Sequence, residues 1–130
     1  MLVVDASFVI GAVMVPEGLG RLRRHQAVAP ELLWSEVTSA LHSMLWRRAI
    51  SAELAEAARA TVARAPIARH SHAQLRQEAW AIAERLGWAK TYDAEYVALA
   101  RLIHCPLLTV DARLARGAAA EVEMLSPFDL

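Results

Sequence analysis

The sequence has only one cysteine, Cys105, and only one lysine, Lys90, among its 130 residues. A single cysteine excludes an internal disulfide framework and a cysteine-rich zinc site. No apolar run reaches the roughly 18 residues that a membrane-spanning helix needs, because Arg, Glu or Asp interrupts each one. The apolar N-terminus, from Met1 to Pro16, has no basic segment and contains Asp5, so it does not resemble a secretory signal. We therefore expect a cytoplasmic protein that makes no contact with a membrane.

Excess charge is also lacking, since 14 basic and 14 acidic residues give a formal net charge of zero. No global field attracts the molecule to nucleic acid, and any such partner must bind a local patch. The hydrophobic fraction of 56% is unlike that of disordered chains. The length, together with the absence of a linker or a repeat, predicts one domain over residues 1–130.

The hydrophobic pattern alternates between short β-branched runs and helical periodicity. Such alternation predicts a single α/β domain with a central parallel sheet flanked by helices on both faces. Ligand sites of these sheets lie at the carboxyl ends of the strands. The predicted strands are Leu2–Val4 and Leu107–Val110, with weaker candidates at Ala27–Pro30, Ile67–Ser71 and Glu121–Leu125. The predicted helices are Pro30–Arg48, Ala73–Leu86, Tyr92–Ile103 and a further helix that begins at Ser51 and is ended by Pro66.

Aspartate is scarce, and three of the four Asp residues lie at predicted element boundaries. Asp5 and Asp111 follow the two clearest strands, so both should lie at the carboxyl edge of the sheet. Asp93 begins the helix that leads into the second of these strands. Glu36 lies at helical spacing between Leu33 and Ala40, on the flank of a stripe that faces the core. Each carboxylate has an ordinary alternative: Asp commonly caps helices, and for Glu36 the alternative is an exposed position on the flank of the helix.

Taken together, the four carboxylates predict a metal site. Acidic groups that converge in one cleft repel each other and raise each other's pKa unless a cation offsets the repulsion. An all-oxygen cluster suits Mg²⁺ or Mn²⁺ rather than zinc. Such ions activate water and stabilise the charge that develops on a phosphodiester. The predicted chemistry is phosphodiester hydrolysis.

The same residues carry a resemblance to a known family. Val3-Val4-Asp5-Ala6-Ser7, the stretch from Pro30 to Val37, the stretch from Tyr92 to Ala100 and the stretch from Leu107 to Leu114 match, in order and spacing, the motifs of PIN-domain nucleases. Within that family the chain resembles the VapC-like toxins of bacterial toxin–antitoxin pairs. The resemblance covers the chain from Met1 to Leu130, although residues 51–87 match little beyond helical pattern.

This resemblance implies an endoribonuclease that uses Mg²⁺ or Mn²⁺. It implies that Asp5 and Asp93 bind the metal directly, and that Glu36 and Asp111 complete the acidic quartet by holding waters on the metal or a second ion. Ser7 and Thr109 are expected to orient these carboxylates through hydrogen bonds. The expected partners are RNA, a second copy of the chain, and a VapB-like antitoxin whose C-terminal segment covers the cleft.

Basic residues near the quartet are candidates for binding RNA phosphate. They are Lys90, Arg113 and Arg116, although ordinary solvated charge is an alternative for each. Arg47 and Arg48 lie about 16–18 Å beyond Glu36 along its helix, within reach of flanking RNA only. The four Trp residues are expected in the core or a subunit interface, or as one exposed anchor for the antitoxin.

Two other function classes remain as alternatives. A non-catalytic PIN-like module would use the acidic cleft only to seat a basic partner segment. A phosphoacceptor signalling domain would need an Asp at a central strand end, and the chain has no Asp between Asp5 and Asp93.

Overall fold

The computed structural model describes residues 1–130 and contains one sheet of five parallel strands. The strand order is β3-β2-β1-β4-β5, so β1 lies in the middle of the sheet and β4 lies beside it. Val3 pairs with Val28 of β2 on one side and with Leu107 of β4 on the other. The strands are β1 (Leu2–Val4), β2 (Ala27–Ala29), β3 (Ile67–Arg69), β4 (Leu107–Leu108) and β5 (Met124–Leu125).

Six α-helices connect the strands and cover the sheet. Because crossovers between parallel strands are right-handed, the connections that run toward β3 and those that run toward β5 lie on opposite faces. The packing agrees, since α1, α2 and α3 contact one another while α4 contacts α5. The helices are α1 (Ala6–Ala12), α2 (Leu32–Trp46), α3 (Ala52–Ala63), α4 (Leu75–Leu86), α5 (Tyr92–Leu102) and α6 (Ala112–Gly117), with short 3-10 helices at Leu19–Arg24 and Pro127–Asp129.

The α/β prediction is confirmed, and all five predicted strands are present. Leu2–Val4 has the predicted bounds, and the other four strands are shorter than predicted. The predicted strand Leu107–Val110 ends at Leu108, although the Thr109 amide still donates to the Leu125 carbonyl at 3.1 Å. The sequence prediction missed α1 and α6, which have seven and six residues. Both are too short to show a full amphipathic period. None of the helices combines the length and the hydropathy that a membrane span requires.

Helix α5 lies at the centre of the hydrophobic core and packs on β1 and β4. Ala94 and residues 96–100 are all buried, which leaves only the first and last turns partly exposed. Three alanines in this segment allow the helix to approach the sheet closely. Because α5 leads into the amino end of β4, its first turn, with Asp93, lies at the carboxyl edge of the sheet.

A network of four charged side chains joins α4 and α5 to the segment before β5. Glu121, whose side chain is only 10% exposed, contacts Arg85 at 3.0 Å and Arg101 at 2.9 Å. Arg101 also contacts Glu78 at 3.2 Å. Because Arg85 lowers the pKa of Glu121, the stabilisation is present at neutral pH and is lost as the pH falls through that lowered value.

Replacing Glu121 with Gln should therefore lower the Tm at neutral pH by about 3 to 6 °C, because both arginines lose their shared partner. Circular dichroism melts would measure the change, and the difference from the wild type should shrink in high salt. Glu123→Gln is the matched control, since Glu123 is exposed and makes no ion pair. Equal Tm values for the Glu121 variant and the wild type would show that the network contributes nothing.

Candidate active site

The carboxyl ends of β1 and β4 form the topological switch point of the sheet. The chain moves from β1 toward β3 on one side and from β4 toward β5 on the other, which opens a crevice between the two central strands. Asp5 directly follows β1, and Thr109 directly follows β4. Because α2 follows β2 and α5 leads back to β4, both helices begin at the same edge, with Asp93 in the first turn of α5 and Glu36 in the second turn of α2. The predicted acids therefore come from four elements that meet at one edge.

Asp5 is the most firmly held of these acids and is only 4% exposed. Its Oδ1 accepts hydrogen bonds from the Ser7 hydroxyl at 2.8 Å and from the Phe8 amide at 3.0 Å. Its Oδ2 accepts a hydrogen bond from the Thr109 hydroxyl at 2.6 Å. Ser7 and Thr109 themselves lie 3.1 Å apart and link the ends of β1 and β4. The structure thus places both hydroxyls where the sequence predicted, against the carboxylate of Asp5.

Glu36 is held by Tyr96, a residue for which the sequence predicts no role in the site. The Tyr96 hydroxyl donates to Glu36 Oε1 at 2.5 Å, and Tyr96 is 1% exposed. Burial and this hydrogen bond raise the pKa of Tyr96, so the phenol stays protonated and remains a donor. The available signal was a hydroxyl three residues after Asp93 on the buried face of α5, which places it one helical turn from that acid.

The other two acids differ in how freely they can move. The Asp93 carboxylate is exposed and makes no hydrogen bond within the protein. Asp111 Oδ1 accepts hydrogen bonds from the amides of Arg113 and Leu114 at 2.9 and 3.2 Å. Asp111 therefore caps α6, and Asp5 likewise caps α1. The capping interpretation is confirmed for these two residues and is wrong for Asp93, which lies inside α5 after the N-terminal residue Thr91.

The electrostatics show that the acids share one environment. Burial, together with the charge of Asp93, raises the pKa of Asp5, and three hydrogen-bond donors only partly offset this. Burial and the charges of Asp93 and Asp5 raise the pKa of Glu36. Desolvation and the charge of Asp111 raise the pKa of Asp93, while Arg113 lowers it. None of the four carboxylates forms an ion pair with a basic side chain, and the charge of Arg113 offsets the repulsion among them only in part.

Glu36, Asp93 and Asp111 line a cleft of about 550 Å³, and Asp5 is buried beside it. Of the three basic residues predicted to bind RNA phosphate, Lys90 and Arg113 line this cleft, but Arg116 does not. Arg116 lies in the last turn of α6 and is exposed outside this cleft. The lining residues are Glu36, Asp93, Asp111, Lys90, Arg113, Tyr92, Trp88, Gly87, Ala89 and Leu114.

The donor set of this cleft fits a hard divalent cation. It offers carboxylate and hydroxyl oxygens and contains no His or Cys. No three Asp, Glu, His or Cys side chains are grouped closely enough to enclose an ion as they stand. Because Asp93 is exposed and makes no hydrogen bond, its carboxylate can change rotamer without breaking one. The fit therefore rests on the chemistry of the donors and on their shared negative charge, which Arg113 offsets only in part.

A five-stranded parallel sheet with an acidic cleft at its central switch point defines a class of α/β nuclease-type domains. The chain belongs to the PIN domain family, whose model matches residues 2–120. It is 32% identical over 123 residues to the VapC ribonuclease Mb0985 of Mycobacterium bovis, a match that covers 93% of this chain and 94% of the relative.

Two solved structures share the fold. The crystal structure of PAE2754 from Pyrobaculum aerophilum superposes with a TM-score of 0.72 at 18% identity, covering 95% of this chain and 87% of that chain. The structure of Mycobacterium tuberculosis VapC20, described as a sarcin-ricin loop cleaving toxin, superposes with a TM-score of 0.59 at 22% identity. It covers 95% of this chain and 98% of VapC20.

Proposed function

We propose that this protein is a metal-dependent endoribonuclease that acts as the toxin of a toxin–antitoxin pair and hydrolyses RNA phosphodiester bonds. The observation that carries the proposal is that four carboxylates from four separate elements lie near one another at one edge of the sheet and influence one another's pKa. Glu36, Asp93 and Asp111 line the cleft, Asp5 is buried beside it, and none of the four is ion-paired with a basic side chain. The similarity to a VapC ribonuclease over nearly the whole chain supports RNA as the substrate.

Within this proposal, Asp5, Asp93, Glu36 and Asp111 hold Mg²⁺ or Mn²⁺. When bound, the ion supplies activation of the attacking water and stabilises charge on the phosphate. Ser7 and Thr109 fix the Asp5 carboxylate from both oxygens, so its position does not depend on the metal. The Asp93 side chain, which makes no hydrogen bond within the protein, is the one that would change rotamer to bind the ion.

The remaining side chains orient the acids and the substrate. Tyr96 holds Glu36 against the cleft wall. Lys90 and Arg113 extend from the cleft margin, where they offer positive charge to the phosphates on either side of the cleaved bond. Arg116, outside the cleft, is left to more distant phosphates or to solvent.

The proposal is tested with purified protein and a single-stranded RNA that carries a fluorophore and a quencher at opposite ends. We expect cleavage in millimolar Mg²⁺ or Mn²⁺, no cleavage in excess EDTA, and recovery when Mn²⁺ is restored. Calorimetric titration with Mn²⁺ completes the test. Absence of both cleavage and ion binding would overturn the nuclease proposal and favour a non-catalytic module that seats a basic partner segment.

Stability of the metal-free protein should depend on pH because of the same acids. The pKa values of Asp5, Glu36 and Asp93 are raised in the folded state. Their contribution to stability is therefore complete below the ordinary values of about 3.9 and 4.3 and is lost as the pH rises through the raised values. In EDTA, we expect Asp93→Asn to gain Tm relative to the wild type between pH 4.5 and pH 7.5, because the variant lacks one of the repelling charges.

A bound divalent ion should reverse this difference. At pH 7.5, millimolar Mn²⁺ should raise the Tm of the wild type by several degrees and that of Asp93→Asn by less, since ligands stabilise the state that binds them. Differential scanning fluorimetry at the two pH values measures both effects. Identical responses of the two proteins to Mn²⁺ would remove Asp93 from the proposed metal site.

The proposed partners follow from the toxin assignment. We propose a homodimer, which light scattering would report as a mass near twice 14.3 kDa. We also propose a VapB-like antitoxin that docks through apolar anchors and places a basic side chain in the acidic cleft. The exposed Trp46 and Trp80 are available as such anchors, whereas Trp34 and Trp88 pack against the core.

A further inference from the structure

A second groove lies on the other side of α2 from the acidic cleft. It runs between α2 and the edge strand β3 and has a volume of about 780 Å³. Its lining is mostly polar, with only two hydrophobic residues, Trp34 and Trp46, near its two ends. None of its residues belongs to the acidic quartet or to its hydrogen-bond partners.

At the end nearest the sheet, Arg69 is held in a fixed position over an aromatic ring. The Arg69 guanidinium carbon lies 4.1 Å from the centroid of the Trp34 ring. The Arg69 Nε donates to Glu31 Oε1 at 3.1 Å, which holds the edge of the guanidinium. The Arg69 side chain remains 57% exposed despite both contacts. A planar cation supported on one side and open on the other is a surface on which an unpaired base can stack.

The floor of the groove suits a sugar–phosphate chain better than a protein. Ser35, Ser39 and Ser43 follow one another at intervals of four residues and share one face of α2. The hydroxyls of Ser35 and Ser39 make no hydrogen bond within the protein and are free to donate to phosphate or ribose oxygens. Ser43 accepts a hydrogen bond from Arg47, which places a second arginine at the far end.

The groove is also close to the proposed cleavage site, because both use α2. Trp34 and Glu36 are two residues apart, so their Cα atoms are separated by about 5.4 Å while their side chains leave opposite sides of the helix. A strand whose cleaved phosphate lies beside Glu36 would cross the N-terminal end of α2, where Ser35 is exposed, to reach Arg69.

We propose that Arg69, supported by Trp34 and Glu31, is a stacking platform for an unpaired RNA nucleotide that flanks the cleaved bond. The inference rests on the proposed ribonuclease function and adds a subsite to it. The platform would give the enzyme a preference for single-stranded over paired RNA, since a paired base has no free face. The hydroxyls of Ser35, Ser39 and Ser43 would bind the sugar–phosphate backbone of the RNA beyond that nucleotide and would not distinguish between bases.

The test compares binding of a fluorescein-labelled 12-nucleotide oligoadenylate with that of an abasic sugar–phosphate oligomer of the same length. Binding is measured by anisotropy in EDTA, so that cleavage plays no part. The wild type should bind the oligoadenylate more tightly than the abasic oligomer. In Arg69→Lys, which keeps the charge and loses the planar group, this preference should fall by about fivefold or more. Arg59→Ala is the matched control, since Arg59 is 62% exposed and also pairs with one glutamate.

The outcomes separate this inference from the nuclease proposal. If Arg69→Lys keeps the wild-type preference for bases, the platform is wrong even where Mn²⁺-dependent cleavage is intact. If Arg69→Ala alters self-association measured by light scattering and leaves RNA binding unchanged, the groove is a protein contact and the inference is overturned. If the base preference is lost in Arg69→Lys while no cleavage occurs, the platform stands and the nuclease proposal falls.

Discussion

Replacing Asp5 with asparagine should reduce RNA cleavage by more than about a hundredfold while leaving the fold intact. Loss of a residue that merely supports a metal ligand costs about 10- to 100-fold, and Asp5 is proposed to bind the metal itself. Asparagine preserves the shape of the side chain, and its carbonyl oxygen can still accept from the Phe8 amide. What it removes is the negative charge. The measurement is initial rate of RNA cleavage in saturating Mn²⁺, alongside a thermal melt.

The thermal stability of Asp5→Asn shows whether a loss of activity comes from a lost catalytic group or from a lost fold. Because burial raises the pKa of Asp5, ionising this carboxyl in the fold costs free energy at neutral pH. The metal-free variant should therefore melt at the same temperature as the wild type or above it. A variant that is inactive but equally stable has lost a catalytic group, and a variant that has lost both activity and stability has lost its fold.

Asp129 provides the control for Asp5→Asn, because it is the one aspartate outside the cleft. It is exposed and accepts hydrogen bonds from the Ser126 amide and hydroxyl at 2.7 and 2.9 Å. Asparagine can still accept at this position, so Asp129→Asn should cleave RNA at the wild-type rate. Undiminished cleavage by Asp5→Asn would contradict the assignment of the cleft as the active site.

The sequence predicted the parts of the site that depend on chain order. A residue that closely follows a buried parallel strand lies at the carboxyl edge of the sheet, which places Asp5, directly after β1, and Asp111, three residues after β4. The roles of Ser7 and Thr109 were implied by the resemblance to PIN-domain nucleases, and the Thr109 hydroxyl meets Asp5 across 104 residues of chain. Only the placement of the two acids follows from strand direction and short spacing along the chain.

The parts that escaped prediction depend on contacts across the fold. Tyr96 and Glu36 are 60 residues apart, and Arg69 and Glu31 are 38 residues apart. Whether such side chains meet depends on how far each helix is rotated about its axis, and one residue of error in that phase turns a side chain by about 100°. Hydrophobic periodicity marks the buried face of α5 but does not separate a tyrosine that only fills space from one that donates to an acid.

Tyr96→Phe is the change that tests this missed contact, and we expect it to reduce cleavage by about 10- to 100-fold. Phenylalanine fills the same volume, so the packing of α5 against the sheet is retained. The loss is a single O–H donor, after which Glu36 Oε1 has no protein partner and its half-buried carboxylate is free to change rotamer. The Kd for Mn²⁺ should rise together with the fall in rate, because a mobile carboxylate is a poorer ligand.

A double-mutant cycle with Glu36→Gln distinguishes positioning from a purely structural role. If Tyr96 acts through Glu36, adding Tyr96→Phe to the Glu36→Gln variant should cause little further loss of activity, since the group being positioned has already been changed. A structural role predicts that the two losses multiply and that the Tm falls with each tyrosine replacement. Full activity of Tyr96→Phe at unchanged affinity for Mn²⁺ would show that the hydrogen bond is dispensable. In that case the backbone of α2 alone would be rigid enough to present the Glu36 carboxylate to the cleft.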